Sequence, residues 1–150
     1  MKIKTFLGLS LFALSSNAFA ENCQIDVSVM DAMTYDKTSM EISLAKCDKV
    51  TVNLKHTGKM PKTAMGHNWV LTSTADQVAA AADGVQAGAE NNYLKTGDSR
   101  VLAFTKLIGG GESVSVTFDT KALKAGGDYT YFCSFPGHSF LMKGKFAVKA

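Results

Sequence analysis

Cys133, His138 and Met142 stand within one short stretch, Cys133-Ser134-Phe135-Pro136-Gly137-His138-Ser139-Phe140-Leu141-Met142, with the spacing C-x4-H-x3-M. His67 lies far upstream, in Met65-Gly66-His67-Asn68-Trp69. One thiolate, two imidazoles and a thioether are the ligand set of a trigonal His₂Cys copper site with a weak axial Met. Cu(I) favours soft sulfur, whereas Cu(II) favours nitrogen and tetragonal geometry. A nearly trigonal set held by the fold suits both states about equally, so little has to move when an electron arrives or leaves. Taken singly, each residue has an ordinary explanation: Met142 as core, a histidine as surface or core, an unpaired cysteine as simply buried. Their joint occurrence carries the reading. Zinc is the main rival. Structural zinc sites use four Cys or His ligands, and His56 is the only such residue beyond these three and the two N-terminal cysteines. One copper ion is therefore the expected cofactor.

These side chains need elements to hold them. Ile25, Val27 and Val29 alternate along one face, and Met40, Ile42 and Leu44 repeat the pattern. Val50, Val52 and Leu54 follow, then Val114, Val116 and Phe118. Tyr129, Tyr131 and Cys133 alternate near the end, and Phe146 and Val148 mark a last strand. Short alternating runs separated by Gly, Asp, Asn and Lys clusters predict an all-β, antiparallel sandwich. The runs Gly109-Gly110-Gly111 and Gly126-Gly127 punctuate it. One stretch differs. Residues 74–90 are rich in Ala, and Asp76 to Ala82 reads as a short helix outside the sandwich, with Ser73 or Thr74 as its N-cap. The ligand loop would lie between adjacent strands, and His67 would tie it to a distant one.

The first twenty residues are set apart from this domain. Lys2 and Lys4 precede an apolar run, Phe6 to Leu14, and Ala18-Phe19-Ala20 offers a small-x-small cleavage pattern. Residues 1–20 are expected to be a signal peptide and 21–150 one exported domain. The apolar run is short of the roughly 20 residues that cross a bilayer, so no membrane anchor is expected. Lys2 and Lys4 account for two of the three net positive charges, leaving +1 on the domain, with no run of five like charges. That balance argues against a nucleic-acid partner. Three cysteines are an odd number for an exported chain. A Cys23–Cys47 disulfide with Cys133 left for another task is the simplest account.

At these residues the chain resembles the azurins within the cupredoxin family of type 1 blue-copper proteins. The Cys23…Cys47 pair, Gly66-His67-Asn68-Trp69 and C-x4-H-x3-M all match in order and spacing. The resemblance covers essentially the whole of residues 21–150. It implies a Greek-key β-sandwich or barrel, with the helix inserted around residues 74–90. It implies His67, Cys133 and His138 as strong equatorial ligands, Met142 as the long axial one, and the Gly66 carbonyl opposite it. Asn68, Ser134 and Phe135 would surround the ligands, Asn68 bracing the loop near Ser134. An apolar docking patch would comprise Met33, Met60, Ala64, Met65, Phe135, Pro136, Gly137, Phe140 and Leu141, with Lys59 and Lys62 at its border. Trp69 reads as a core aromatic and His56 as a buried histidine with a possible pH response.

The resemblance implies a monomeric periplasmic one-electron carrier that meets its partners transiently, a c-type cytochrome or a copper nitrite reductase among them. Two other functions compete. Copper enzymes on this fold add a second metal with further histidines, and this chain has three histidines in all. Copper storage proteins display exposed Met- or His-rich repeats, and no such tract occurs here.

Overall fold

The computed structural model describes residues 21–150; the leader and cleavage site expected over residues 1–20 lie outside the described residues. Eight strands and two α-helices follow in chain order: β1 (Glu21–Val29), β2 (Ser39–Ser43), β3 (Cys47–His56), α1 (Lys62–Met65), β4 (Val70–Ser73), α2 (Gln77–Ala87), β5 (Val101–Phe104), β6 (Ser113–Asp119), β7 (Tyr129–Phe132) and β8 (Lys143–Lys149). They form a three-stranded sheet, β1-β3-β6, facing a five-stranded sheet, β2-β8-β7-β4-β5. The all-β sandwich read from the alternation is the fold found.

It is not wholly antiparallel. β1 pairs with β3 in parallel, and so does β2 with β8. Consecutive strands β1 and β2 enter different sheets, so each finds its neighbour elsewhere in the chain. Alternation reports which face of a strand is buried and says nothing about the direction of its partner.

β3 shows how the pattern becomes a core. Val50, Val52 and Leu54 are buried, while Lys49 and Lys55 face outward. Each such side chain contributes about 1.5–3 kcal/mol when fully buried. Trp69 sits at the centre with no exposed surface, its ring 6.0 Å from those of Phe118, Tyr131 and Phe146. The Cys23–Cys47 disulfide staples β1 to the start of β3.

α2 lies outside the sandwich, within the expected 74–90 stretch. It begins at Gln77, after Asp76, and neither Ser73 nor Thr74 occupies the cap position. The Ser73 hydroxyl instead donates to Asp76 Oδ2 at 2.7 Å and accepts from the Asp76 N–H. Ala80 and Ala81 pack against Val70, Leu94 and Phe132 on the outer face of the larger sheet. Arg100 then ties Asp83 of α2 to Asp98 in the segment leading to β5.

Candidate metal centre

β4 and β7 are neighbours, with Val70 opposite Phe132. His67 lies three residues before Val70 and Cys133 directly follows Phe132, so both emerge at the same end of the sheet. The Cys133 N–H donates to the Met142 carbonyl at 3.0 Å, closing the loop that joins β7 to β8. Inside that loop the His138 N–H donates to the Phe135 carbonyl, and the His138 carbonyl accepts from Met142 N–H at 2.8 Å. The loop is pinned at its ends and in its middle. Met142 is fully buried beneath it.

His67, Cys133 and His138 each place a donor atom within 4.8 Å of the others, and all three residues are buried. Cys133 Sγ lies 3.6 Å from His138 Nδ1 and 3.9 Å from His67 Nδ1. The Gly66 carbonyl is also 3.9 Å from the sulfur. His67 Nε2 lies 2.9 Å from the Met30 carbonyl. A carbonyl can only accept, so Nε2 carries the proton and the Nδ1 lone pair faces Cys133. His67 is held in place by two main-chain bonds with Ile108, both 2.9 Å.

The electrostatics follow from burial. It pushes the Cys133 thiol up to about 12, although the N–H groups of Asn68 and Phe135 face the sulfur and favour its thiolate. It pulls His67 down to about 4 and lowers His138 from its ordinary value. Both imidazoles are thus neutral at pH 7, with lone pairs available. A soft sulfur and two neutral nitrogens, buried and convergent, fit copper.

His56 does not join them. Its Nδ1 accepts from the Gly58 N–H and its Nε2 donates to the Met65 carbonyl, so both nitrogens are engaged. Its ring stacks on that of His67 at 4.8 Å, as a buried histidine should.

Asn68 bridges the two segments that carry the clustered donors. Its Oδ1 accepts from the Ser134 N–H at 2.9 Å, and its Nδ2 donates to Ser134 Oγ at 2.8 Å. Phe135 packs on His138 with ring centres 4.6 Å apart. Gly66 has an ordinary extended conformation, and a Cβ there would lie 2.4 Å from the Lys62 carbonyl. Glycine is required by α1's close approach. Of the patch residues, Met33, Met60, Ala64, Gly137, Phe140 and Leu141 are exposed, and Met65, Phe135 and Pro136 are half-buried. Phe140 borders a groove against Val78 and Val85 of α2. Sequence reasoning missed Met30, whose carbonyl sets the His67 tautomer, because a main-chain acceptor leaves no mark in a side-chain pattern.

Residues 21–149 match the family described as copper binding proteins, plastocyanin/azurin family. The chain belongs to that family. The azurin of Bordetella pertussis is 57% identical over 138 residues, covering 91% of each chain. Azurin-1 of Alcaligenes xylosoxydans xylosoxydans is 57% identical over 122 residues, 81% of this chain and 94% of its own. A solved structure of the azurin Az-iso2 from Methylomonas sp. strain J superposes with a TM-score of 0.83 at 48% identity, covering 87% of this chain and all of the other. As a member of the plastocyanin/azurin family, the chain is a blue-copper electron carrier and not an enzyme. It uses copper and exchanges electrons with redox partners.

Proposed function

We propose that His67 Nδ1, Cys133 Sγ and His138 Nδ1 would hold the ion, with the Met142 thioether and the Gly66 carbonyl as weaker donors. The supporting observation is the convergence of those three donor atoms in a buried cluster, with the His67 lone pair turned inward. When bound, copper supplies a one-electron couple between Cu(I) and Cu(II). The chain's own residues do the rest. Asn68 and Phe135 aim N–H groups at Cys133 Sγ, and Asn68 locks Ser134 to the His67 segment. Burial excludes water from the donors. A loop pinned this firmly keeps one geometry when charge changes.

Residues 21–150 act as the mature periplasmic domain, a monomer released after cleavage behind Ala20. No helix among the described residues is long and apolar enough to cross a membrane. The partners are a c-type cytochrome or a copper nitrite reductase, met transiently through the apolar surface around His138. Met33, Met60, Phe140 and Leu141 expose apolar surface, and flexible Met side chains suit contacts that form and break.

Stopped-flow mixing of the reduced, copper-loaded protein with an oxidised c-type cytochrome tests this. The rate should depend weakly on ionic strength, as an apolar contact with little net charge requires. Leu141→Lys should slow it by about tenfold, equivalent to roughly 1.4 kcal/mol of lost docking. An unchanged rate would place the contact on another face.

A further inference from the structure

The turn leaving α2 holds two consecutive non-glycine residues in the left-handed region, Asn92 (φ 57°) and Tyr93 (φ 52°). Asn tolerates that region; for the bulkier Tyr it is a genuine outlier. Such a conformation persists only where its surroundings over-determine it, and such places cluster at functional sites.

What the turn touches gives it a role. The Asn92 carbonyl accepts from Asn68 Nδ2 at 3.1 Å and from Ser134 Oγ at 2.8 Å. Its side-chain Oδ1 accepts from the Leu107 N–H at 2.9 Å. Leu107 directly precedes Ile108, the residue paired to His67. The Tyr93 ring meets Phe135 edge-on, with centres 5.4 Å apart, and Phe135 in turn lies against His138. Two residues thus reach the immediate neighbours of His67, Cys133 and His138, and neither touches the donor atoms.

Behind the turn stands α2. Gly84 comes so close that a Cβ there would lie 2.1 Å from the Tyr93 carbonyl oxygen and 2.9 Å from its carbon. Both are main-chain atoms and cannot swing aside. The Arg100 link to Asp83 and Asp98 ties the helix to the segment beyond. We infer that the Asn92–Tyr93 turn, backed by α2 through Gly84, is a positioning element for the metal centre. The outlying helix then sets ligand geometry as well as covering the sheet. This rests on the ligand set proposed above.

The test compares Gly84→Ala with Gly126→Ala. Gly126 lies in the turn before β7 at φ +72°, a Cβ there would meet nothing within 4 Å, and its N–H is bonded to Val148, so its replacement strains the backbone without pressing on the Asn92–Tyr93 turn. In the metal-free protein, Gly84→Ala should speed exchange of the Ser134 amide hydrogen by about tenfold, as its bond to Asn68 loosens. In the copper-loaded protein it should shift both the thiolate charge-transfer band and the reduction potential. Gly126→Ala should lower stability and leave exchange at Ser134, the band and the potential at wild-type values. Equal behaviour of the two variants would overturn the inference. Should Gly84→Ala not fold, Tyr93→Leu and Tyr93→Phe decide it. Leu removes the ring edge from Phe135 and should shift band and potential, and Phe should restore them; indistinguishable Leu and Phe spectra sink the idea. A wild-type protein that binds copper without the band condemns the ligand set instead, so the two failures are separable.

Discussion

Loading the metal-free protein with a divalent ion at pH 7 should release one proton per ion, and that proton should leave Cys133 Sγ. Among the three clustered donors only the thiol is protonated at that pH. Burial holds Cys133 at about 12 and His67 at about 4, and it lowers His138. At pH 7 the thiolate fraction is then on the order of 10⁻⁵, and ionising the thiol costs about 7 kcal/mol of the binding energy at 1.36 kcal/mol per unit. Raising the pH makes that proton easier to lose, so the apparent affinity should rise about tenfold per pH unit between roughly pH 7 and pH 9. Redox-silent Zn(II) can be titrated by calorimetry in buffers of different ionisation enthalpy, which counts protons without relying on colour. Release of two protons would mean that an imidazole is protonated despite its burial. Release of none would mean that Cys133 is not a ligand or is already ionised, and either result refutes the reasoning.

The disulfide and the ligand burial each lead to a further prediction. Cys23 and Cys47 are 24 residues apart, and replacing both with Ser should cost about 3–4 kcal/mol in the chain-entropy model. That corresponds to a drop in Tm of roughly 10–15 °C for a domain of this size, followed by the red shift of the buried Trp69 emission. A loss below about 1 kcal/mol would mean that the unfolded chain gains little freedom. The metal-free protein should also be most stable between about pH 7 and pH 9. As the pH falls from 6.5 towards 4, the unfolded chain protonates His67 and the folded chain does not, which costs up to about 3 kcal/mol. As it rises from 9 towards 12, the unfolded chain ionises Cys133 and the folded chain keeps the proton, with a comparable loss. Urea titrations across pH measure both limbs, and a flat profile contradicts the burial of these groups.

Much of this molecule is legible in its residues because two periodicities are local. Val50, Val52 and Leu54 announce a buried strand face wherever they occur, and the Ala-rich run at 79–82 can do little but form a helix. Cys133, His138 and Met142 are legible for another reason: one short loop keeps them close in space whatever surrounds it. The parallel pairing of β1 with β3 left no such trace, because strand direction is decided by partners far along the chain. The Met30 carbonyl that orients His67 is main chain and carries no residue-specific signal. Asn92 and Tyr93 are the harder case. Asn is common in left-handed turns, but nothing in Asn91-Asn92-Tyr93 says that the turn reaches Asn68, Ser134, Leu107 and Phe135. Gly84 looks like a weak point in a helix until the Tyr93 carbonyl is seen against it.

The central claim is that Cys133 supplies a thiolate to copper beside two imidazoles. Its most direct measurement is the visible absorption of the zinc-free protein, residues 21–150, on addition of one equivalent of Cu(II). An intense blue band from thiolate-to-copper charge transfer is expected for the wild type. Cys133→Ser should lose the band while keeping the far-ultraviolet circular dichroism of the folded sandwich. A wild-type protein that binds stoichiometric copper and stays colourless, or a Cys133→Ser protein that turns blue, contradicts the account.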